Sequence, residues 1–203
     1  VREHYFSPTP AVRSRPREVR FRFGGRLFVF ETDRGVFSHG AVDRGTRLLL
    51  EALEVRPEDE ILDVGCGYGV VGLVAAAQAS RGRAVLVDIN ERAVALALRN
   101  ARRNGIHNAE VLWGNLYEPV GERTFDLIAT NPPIRAGRAV VRALIEGAWT
   151  HLRPGGRFYL VARTAQGART LARLIGQVFG NVEEVERGGG YRVYRAVREG
   201  RDV

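Results

Sequence analysis

Val19, Phe21 and Phe23 alternate with Arg20 and Arg22, and a second aromatic run, Arg26 to Phe30, follows Gly24-Gly25. A period of two puts the apolar side chains on one face of a strand. A Gly-Gly pair between two such runs predicts a β-hairpin. From about residue 43 the period changes. Leu48, Leu49, Ala52 and Leu53 fall at helical spacing and stop before Pro57. Four more helices are predicted around Val70/Val71/Val74/Ala75, Ala93/Val94/Ala97/Ala101, Val140/Val141/Leu144/Ala148/Trp149 and Leu171/Leu174/Ile175/Val178. A Pro154-Gly155-Gly156 turn should close the third of these. Between the helices lie short apolar runs: Glu60 to Val64, Ala84 to Val87, Ala109 to Trp113, Phe125 to Ala129 and Phe158 to Ala162. Unbroken apolar strands alternating with helices predict a parallel sheet covered on both faces. Two last strands, Val182 to Glu186 and Tyr191 to Val197, flank Arg187-Gly188-Gly189-Gly190 and should form an antiparallel hairpin at the sheet edge. The expected organisation is an α/β domain over residues 43–203 behind an extension, residues 1–42, that carries the first hairpin.

Composition narrows the class. Of 203 residues, 45% are hydrophobic and 27% charged, which suits a folded globular chain. No run approaches 18 apolar residues and the first residues lack an apolar stretch, so the expected location is cytoplasmic, with no membrane partner. Cys66 is the single cysteine, which excludes an internal disulfide and a multi-cysteine zinc site, and no metal is expected. All 31 basic residues are arginine against 23 acids, for a net charge of +8. An arginine-only set reads equally well as a compositional habit or as a device for holding phosphates. Pro8, Pro10 and Pro16 keep the first residues extended, and Arg13, Arg15, Arg17, Arg20 and Arg22 offer a basic strip to a polyanion such as RNA.

Asp63-Val64-Gly65-Cys66-Gly67-Tyr68-Gly69 stands where a strand hands over to a helix. Glycines there let backbone N–H groups approach a ligand at the positive end of the helix. Gly67-Tyr68-Gly69-Val70-Val71-Gly72 also fits the dinucleotide pattern GxGxxG, so the glycines alone leave the ligand open. Asp63 separates the choices: a carboxylate two residues before the first glycine suits the amino group of S-adenosylmethionine and repels a pyrophosphate. Asp88, ending the next strand, is placed to accept from two ribose hydroxyls, or else to cap the helix that starts near Glu91. Asn115 follows the third strand and offers an amide to an adenine edge. Asn131-Pro132-Pro133 follows the strand Phe125 to Ala129. Two prolines fix the backbone and remove two donors, so an Asn oxygen and the Pro132 carbonyl can both accept from one exocyclic amine. That aims a nitrogen lone pair at an electrophilic methyl without a strong base.

Asp63-x-Gly65-x-Gly67-x-Gly69, Asp88 and Asn131-Pro132-Pro133 together resemble a class I S-adenosylmethionine-dependent methyltransferase acting on an amino nitrogen. More narrowly, the chain resembles the small-subunit ribosomal RNA guanine-N2 methyltransferase C family in a short, single-domain form. The residues that carry this are His4-Tyr5-Phe6-Ser7, Thr32-Asp33-x-Gly35-Val36-Phe37-Ser38, Asp43-x-Gly45-Thr46, Asp88-Ile89-Asn90-Glu91-Arg92-Ala93, Asn131 to Gly137 and Gly190-Tyr191-Arg192-Val193. The resemblance implies a Rossmann-like, seven-stranded, mostly parallel sheet with one reversed strand. It implies that Asp63, Gly65, Cys66, Gly67, Gly69, Asp88, Ile89, Asn115, Asn131, Phe37 and Asp43 surround the cofactor. Asn131 and Pro132 would orient the target amine, with Phe37, Ser38, Pro133, Ile134, Arg135 and Arg138 on the acceptor side. The implied partner is ribosomal RNA or the small ribosomal subunit, bound by a monomer or homodimer. Three departures stand out. Asn115 replaces the more usual acid. Ile134 replaces an aromatic that would stack on the base, which leaves Phe37 or Tyr5 for stacking. The second, decayed domain of longer members does not fit in 203 residues.

Other activities explain less. A protein glutamine methyltransferase would use the same Asn-Pro-Pro geometry, though the N-terminal arginines favour RNA. A nicotinamide oxidoreductase leaves Asn131-Pro132-Pro133 without a purpose, and cytosine-C5 chemistry needs a cysteine nucleophile that Cys66, inside the glycine loop, does not supply. A non-catalytic RNA-binding module with a vestigial pocket is the remaining alternative. His39, nearest the implied cofactor wall, reads more simply as a polar loop residue.

Overall fold

The computed structural model describes residues 12–132 and 134–200, without the side chain of Arg135. The expectations for His4 to Ser7, Pro133 and the Arg135 side chain lie outside the described residues. The elements are β1 (Arg17–Phe23), β2 (Arg26–Thr32), α1 (Arg44–Ala52), β3 (Glu60–Val64), α2 (Val70–Gln78), β4 (Arg83–Asp88), α3 (Glu91–Arg103), β5 (Ala109–Trp113), β6 (Phe125–Thr130), α4 (Arg138–His151), β7 (Leu152–Arg163), α5 (Ala168–Phe179), β8 (Glu183–Gly188) and β9 (Tyr191–Val197).

β3 to β9 build one seven-stranded sheet in the order β5-β4-β3-β6-β7-β9-β8. β3 to β7 pair in parallel, and β9 is the one reversed strand, antiparallel to β7 and to β8. The unbroken apolar runs are explained by burial on both faces. Ile61, Ala84 and Leu86 join Leu49, Leu73 and Leu96 of α1, α2 and α3 in one cluster. Leu62, Val64, Val85 and Val87 join Leu144 of α4 and Ile175 of α5 in the other. α2 approaches the sheet closely because Gly72 has no side chain; a Cβ there would lie 2.4 Å from Leu86 Cγ.

The hairpin pairs Val19 with Phe30 and Phe21 with Phe28, and these four side chains are buried in the same cluster as α1 to α3. Asn100 of α3 and Asn104, the α3 C-cap, dock it. Asn100 accepts from Glu31 N at 2.7 Å and donates to Glu31 O at 2.8 Å, and Asn104 does the same for Val29 at 2.8 and 2.9 Å. Two side-chain amides thus satisfy the free edge of β2 as a third strand would.

One expectation is corrected. The Pro154-Gly155-Gly156 turn does not close α4, which ends at His151 with Leu152 as C-cap. Leu152 already pairs with Phe125 of β6, so the chain must enter the sheet at once. Pro154 to Gly156 form an excursion within β7, held where Gly155 N donates to Arg198 O at 2.7 Å and Arg198 N to Gly156 O at 2.9 Å.

β7 is tied to the loop before β3 by a buried ion pair. Arg157, only 4% exposed, donates from Nη2 to both Asp59 oxygens at 2.7 Å. Its Nη1 donates to Glu54 O at 2.7 Å. Removing one partner strands the other charge, at a cost of ~3–5 kcal/mol. Asp59→Ala is expected to lower unfolding free energy by that amount in a urea titration. A loss below about 1 kcal/mol would mean the pair behaves as a solvent-screened surface bridge.

Candidate active site

β3 and β6 are neighbours at the point where the strand order reverses, and crevices of α/β sheets open at such points beyond the carboxyl ends of the strands. Their register pairs Leu62 with Ile128 and Asp63 with Ala129. Thr130 Oγ1 donates to Val64 O at 2.8 Å, so the glycine loop after β3 and Asn131 after β6 leave the sheet side by side.

Gly65, Gly67 and Gly69 have φ of +76°, +57° and +97°, left-handed conformations that disfavour a side chain. Gly65 N and Cys66 N donate to Val87 O at 2.9 and 3.0 Å, which folds the loop back over β4. A Cβ on Gly65 or Gly67 would meet no atom within 4 Å, since both open onto the crevice. Gly69 differs. It lines none of the three cavities described below and is the N-cap of α2, where a Cβ would sit 3.2 Å from Ala97 of α3. It packs the start of α2 against α3.

Three cavities meet over the strand ends. The first has mostly apolar walls (Val36, Ile89, Leu116, Val140 and Leu144) with Gly65, Gly67, Asp88 and Asn115 on its rim. The second is lined by Asp43, Pro132, Ile134, Arg163, Gln166 and Tyr191. The third and smallest, behind the glycine loop, is lined by Ser38, Thr46, Asp63, Cys66 and Tyr68 among others. Phe37 and Asn131 line all three. Phe37 is brought there by the segment after the hairpin, which α3 holds: Asn90, the α3 N-cap, donates from Nδ2 to Gly35 O at 2.8 Å. Ser38 and Leu116, the two non-glycine residues with positive φ among those described, both sit in cavity walls. Strained backbone tends to persist where a site demands it.

Of the three acids that line these cavities, Asp43, Asp63 and Asp88, the last two lie at the glycine loop. Asp63 accepts from Gly72 N at 2.8 Å, but burial, reinforced by the Asp88 charge, pushes its carboxyl up to about 7. Asp88 accepts from Gly67 N at 2.7 Å and Asn90 N at 2.8 Å; burial raises its pKa against those bonds. Asn90, not Asp88, caps α3. Burial, with the two carboxylates beside it, pushes the Cys66 thiol far up. A thiol kept protonated is a poor nucleophile.

Asn131 is fixed by its amide nitrogen, which donates to Asp43 Oδ2 at 3.3 Å and Thr46 Oγ1 at 3.1 Å. A carboxylate only accepts, so the amide oxygen must face the other way, toward the cavities. Asp43 is itself held. It caps α1 through Gly45 N and Thr46 N, and its Oδ1 accepts from Tyr191 OH at 3.1 Å. Arg163 Nε donates to that hydroxyl at 2.7 Å. Gly45 leaves room for the Tyr191 ring, which a Cβ would approach to 2.6 Å.

Asp43, expected at the cofactor, therefore lies in the second cavity and acts on Asn131. Asn115 reaches the rim of the first cavity, where its amide donates to Glu118 Oε1 at 3.2 Å. Ile134 lines the second cavity, whereas Arg138 stands outside all three, in the groove between α4 and α5. His39 lines none and is bonded to Arg15 O at 2.9 Å. Tyr191, Arg163, Gln166 and Thr46 escaped the sequence reading as site residues. Tyr191 and Thr46 stood in motifs without a role assigned, and nothing near Arg163 or Gln166 marks them. Among the described residues, no cluster of His, Cys, Asp and Glu is placed to hold a metal, and no helix is long and apolar enough to cross a membrane.

The methyltransferase small domain family model matches residues 28–195. The uncharacterised protein YbxB of Bacillus subtilis (strain 168) is 41% identical over 197 residues, 96% of this chain and 98% of that protein. Ribosomal RNA small subunit methyltransferase C of Erwinia tasmaniensis is 34% identical over 178 residues, 86% of this chain and 50% of that protein. The chain thus spans about half the length of the relatives that carry that name. Among solved structures, the T. thermophilus 16S rRNA N2 G1207 methyltransferase, in complex with AdoMet and guanosine, superimposes with a TM-score of 0.82 at 31% identity. The match covers 94% of this chain and 52% of that one. A methyltransferase from Pyrococcus furiosus shares the fold, with a TM-score of 0.65 at 22% identity. The sheet is therefore the Rossmann-like sheet of class I methyltransferases.

Asp63 gives the site a measurable signature. Unfolded, its carboxyl ionises near 3.8; folded, it keeps its proton to about 7. Between those values the unfolded chain binds fewer protons, so this group makes stability fall as pH rises, by a few kcal/mol across the window. Asp63→Asn is expected to flatten the fall in melting temperature between pH 4 and 7 in the ligand-free protein. An unchanged slope would place that proton elsewhere.

Proposed function

The chain belongs to the methyltransferase small domain family of S-adenosylmethionine-dependent enzymes, and on that premise we propose that it methylates the exocyclic N2 of a guanine in small-subunit ribosomal RNA. The observation that carries this reading is the meeting of three cavities at Phe37 and Asn131. A two-substrate transfer needs a donor cavity and an acceptor cavity that touch at the reacting atoms.

The residues present fit the cofactor. Gly65 and Gly67 open onto the first cavity with the space a side chain would fill. Asp88 spends one lone pair on Gly67 N and another on Asn90 N, which leaves acceptor capacity for ribose hydroxyls. Val36, Ile89, Leu116 and Leu144 form apolar walls for an adenine. Asp63, an acid that burial holds short of full ionisation, suits the ammonium of the methionine moiety, whose charge would draw its pKa back down. When bound, S-adenosylmethionine would supply a sulfonium methyl to the acceptor nitrogen: the N–C bond forms in line as the C–S bond breaks, and S-adenosylhomocysteine leaves with the electron pair.

The chain's own part is alignment. The Asn131 oxygen accepts one hydrogen of the acceptor amine, and the Pro132 carbonyl, which already accepts from Ile134 N at 2.9 Å, offers its second lone pair to the other, so the amine lone pair is turned toward the donor cavity. Asp43, with Tyr191 and Arg163 behind it, prevents the Asn131 amide from flipping. Phe37 offers a ring at the junction, the stacking surface that Ile134 does not provide. After transfer the surplus proton leaves from N2 to solvent. No strong base is required, in keeping with a site without histidine. The ribosomal acceptor is supported by the relatives named ribosomal RNA small subunit methyltransferase C and by the solved relative that holds guanosine.

Labelled methyl transfer to small-subunit rRNA, to guanosine and to a glutamine peptide tests the reading. Methylation at guanine N2 is the expected outcome; a labelled glutamine, or no transfer to any acceptor, would overturn it. Asn131→Ala is expected to lower kcat by about 10²–10³ fold, the loss seen when one aligned polar group at a reacting centre is removed. S-adenosylhomocysteine should still bind in a calorimeter. Wild-type turnover in that variant would remove Asn131 from the mechanism.

A further inference from the structure

A recess of about 610 Å³ lies between α4 and α5, outside the three cavities. Val141, Leu171 and Leu174 form its floor, with Arg138 and Arg142 on one wall and Arg173 on the other. Among the described residues no acid lines it; Glu146, the ion-pair partner of Arg142 at 3.1 Å, is not part of its wall. Ile134 and Gln166 line both this recess and the second cavity, so one continuous surface runs from Asn131 out to the arginines.

The hairpin arginines are placed differently. The hairpin packs with α1 to α3, whereas α4 and α5 cover the opposite face of the sheet. Arg20 is paired with Glu18 at 3.0 Å and Arg22 donates to Gly25 O at 3.4 Å. Neither is continuous with the acceptor cavity.

We propose that the RNA strand flanking the target guanine lies in the recess between α4 and α5, with its phosphates on Arg138, Arg142 and Arg173 and a base face on the Leu171 and Leu174 floor. This inference rests on the RNA-acceptor reading above and states where that RNA lies. Holding both hydrogens of N2 at Asn131 and Pro132 requires the guanine to leave its base pair and stack, so the neighbouring nucleotides meet the protein as a single strand. Planar guanidinium groups match phosphate oxygens two at a time, and an apolar floor takes a base face without demanding sequence. A protein partner for this recess would need a strongly acidic surface there, which an RNA strand has by its nature.

The test compares Arg142→Gln/Arg173→Gln with Arg20→Gln/Arg22→Gln. Binding to a guanine-containing single-stranded RNA oligonucleotide is measured by fluorescence anisotropy across a salt series. Calorimetry with S-adenosylhomocysteine confirms that each variant is folded. The recess variant is expected to bind at least about tenfold more weakly at low salt. Its log–log salt slope should fall by about 1.4, because two phosphates of a single strand are no longer neutralised. The hairpin variant should stay within about twofold of wild type. Unchanged binding by the recess variant, a loss confined to the hairpin variant, or no RNA binding by the wild type overturns the placement. Labelled-methyl transfer to the same oligonucleotide separates the two readings. RNA held through the recess but never methylated would fail the acceptor reading and leave the recess standing. RNA methylated with no dependence on Arg142 and Arg173 would fail the recess alone.

Discussion

The parallel pairing of β3 with β6 is the constraint on which the rest depends. Residues far apart in sequence, Gly65 and Asn131, become neighbours only because Asp63 pairs with Ala129 and Thr130 is bonded to Val64. A shift of one residue in that register would turn every side chain of β3 to the other face of the sheet. The register is protected by burial on both faces. Ile61 goes to the cluster under α1 to α3 and Leu62 to the cluster under α4 and α5, and neither can leave without exposing apolar surface. The strand ends that carry the site are therefore held in place by the centre of the sheet.

Rigidity of the backbone does not by itself aim a side chain. Asn131 could present either end of its amide to a substrate, and the choice is made by Asp43, a residue whose first structural task is to cap α1. One carboxylate thus begins a helix, accepts from Tyr191 and orients Asn131. The short loop before α1 is tied to the end of β6 and to the start of β9, three segments distant in sequence. The dependence runs in both directions: the tyrosine ring fits only because residue 45 is glycine.

The two buried acids show a different trade. Asp63 and Asp88 lie near each other with few cationic neighbours, and burial raises the pKa of both. Such a pair weakens the empty fold at neutral pH and strengthens the grip on a ligand that brings a positive charge and hydroxyl donors. The hairpin contributes at longer range. Docked by Asn100 and Asn104, it delivers the segment that carries Phe37 across the mouth of the crevice.

Much of the fold was legible in the sequence because period and punctuation are local. Alternation marked β1 and β2, unbroken apolar runs marked strands covered on both sides, and glycine after β3 marked a loop open to a ligand. Pro154-Gly155-Gly156 misled for the same reason: turn residues signal a bend, but whether the bend ends a helix or interrupts a strand depends on which neighbour Leu152 pairs with. In the site, Asp63, Asp88 and Asn131 could be singled out because each stands at the end of an apolar strand. Tyr191, Arg163 and Gln166 carry no such mark, and they join the site only because β7 lies beside β6 and β9 beside β7. The arginines make the point most plainly. Composition establishes that there are 31 of them and no lysine, which commits the chain to fixed positive charge. Only tertiary structure decides that Arg20 lies on the hairpin beside Glu18, whereas Arg138, Arg142 and Arg173, from two helices, face one recess that adjoins the acceptor cavity. Charge belongs to a residue, but a field belongs to an arrangement, and the arrangement is set by contacts between parts of the chain that no local pattern connects.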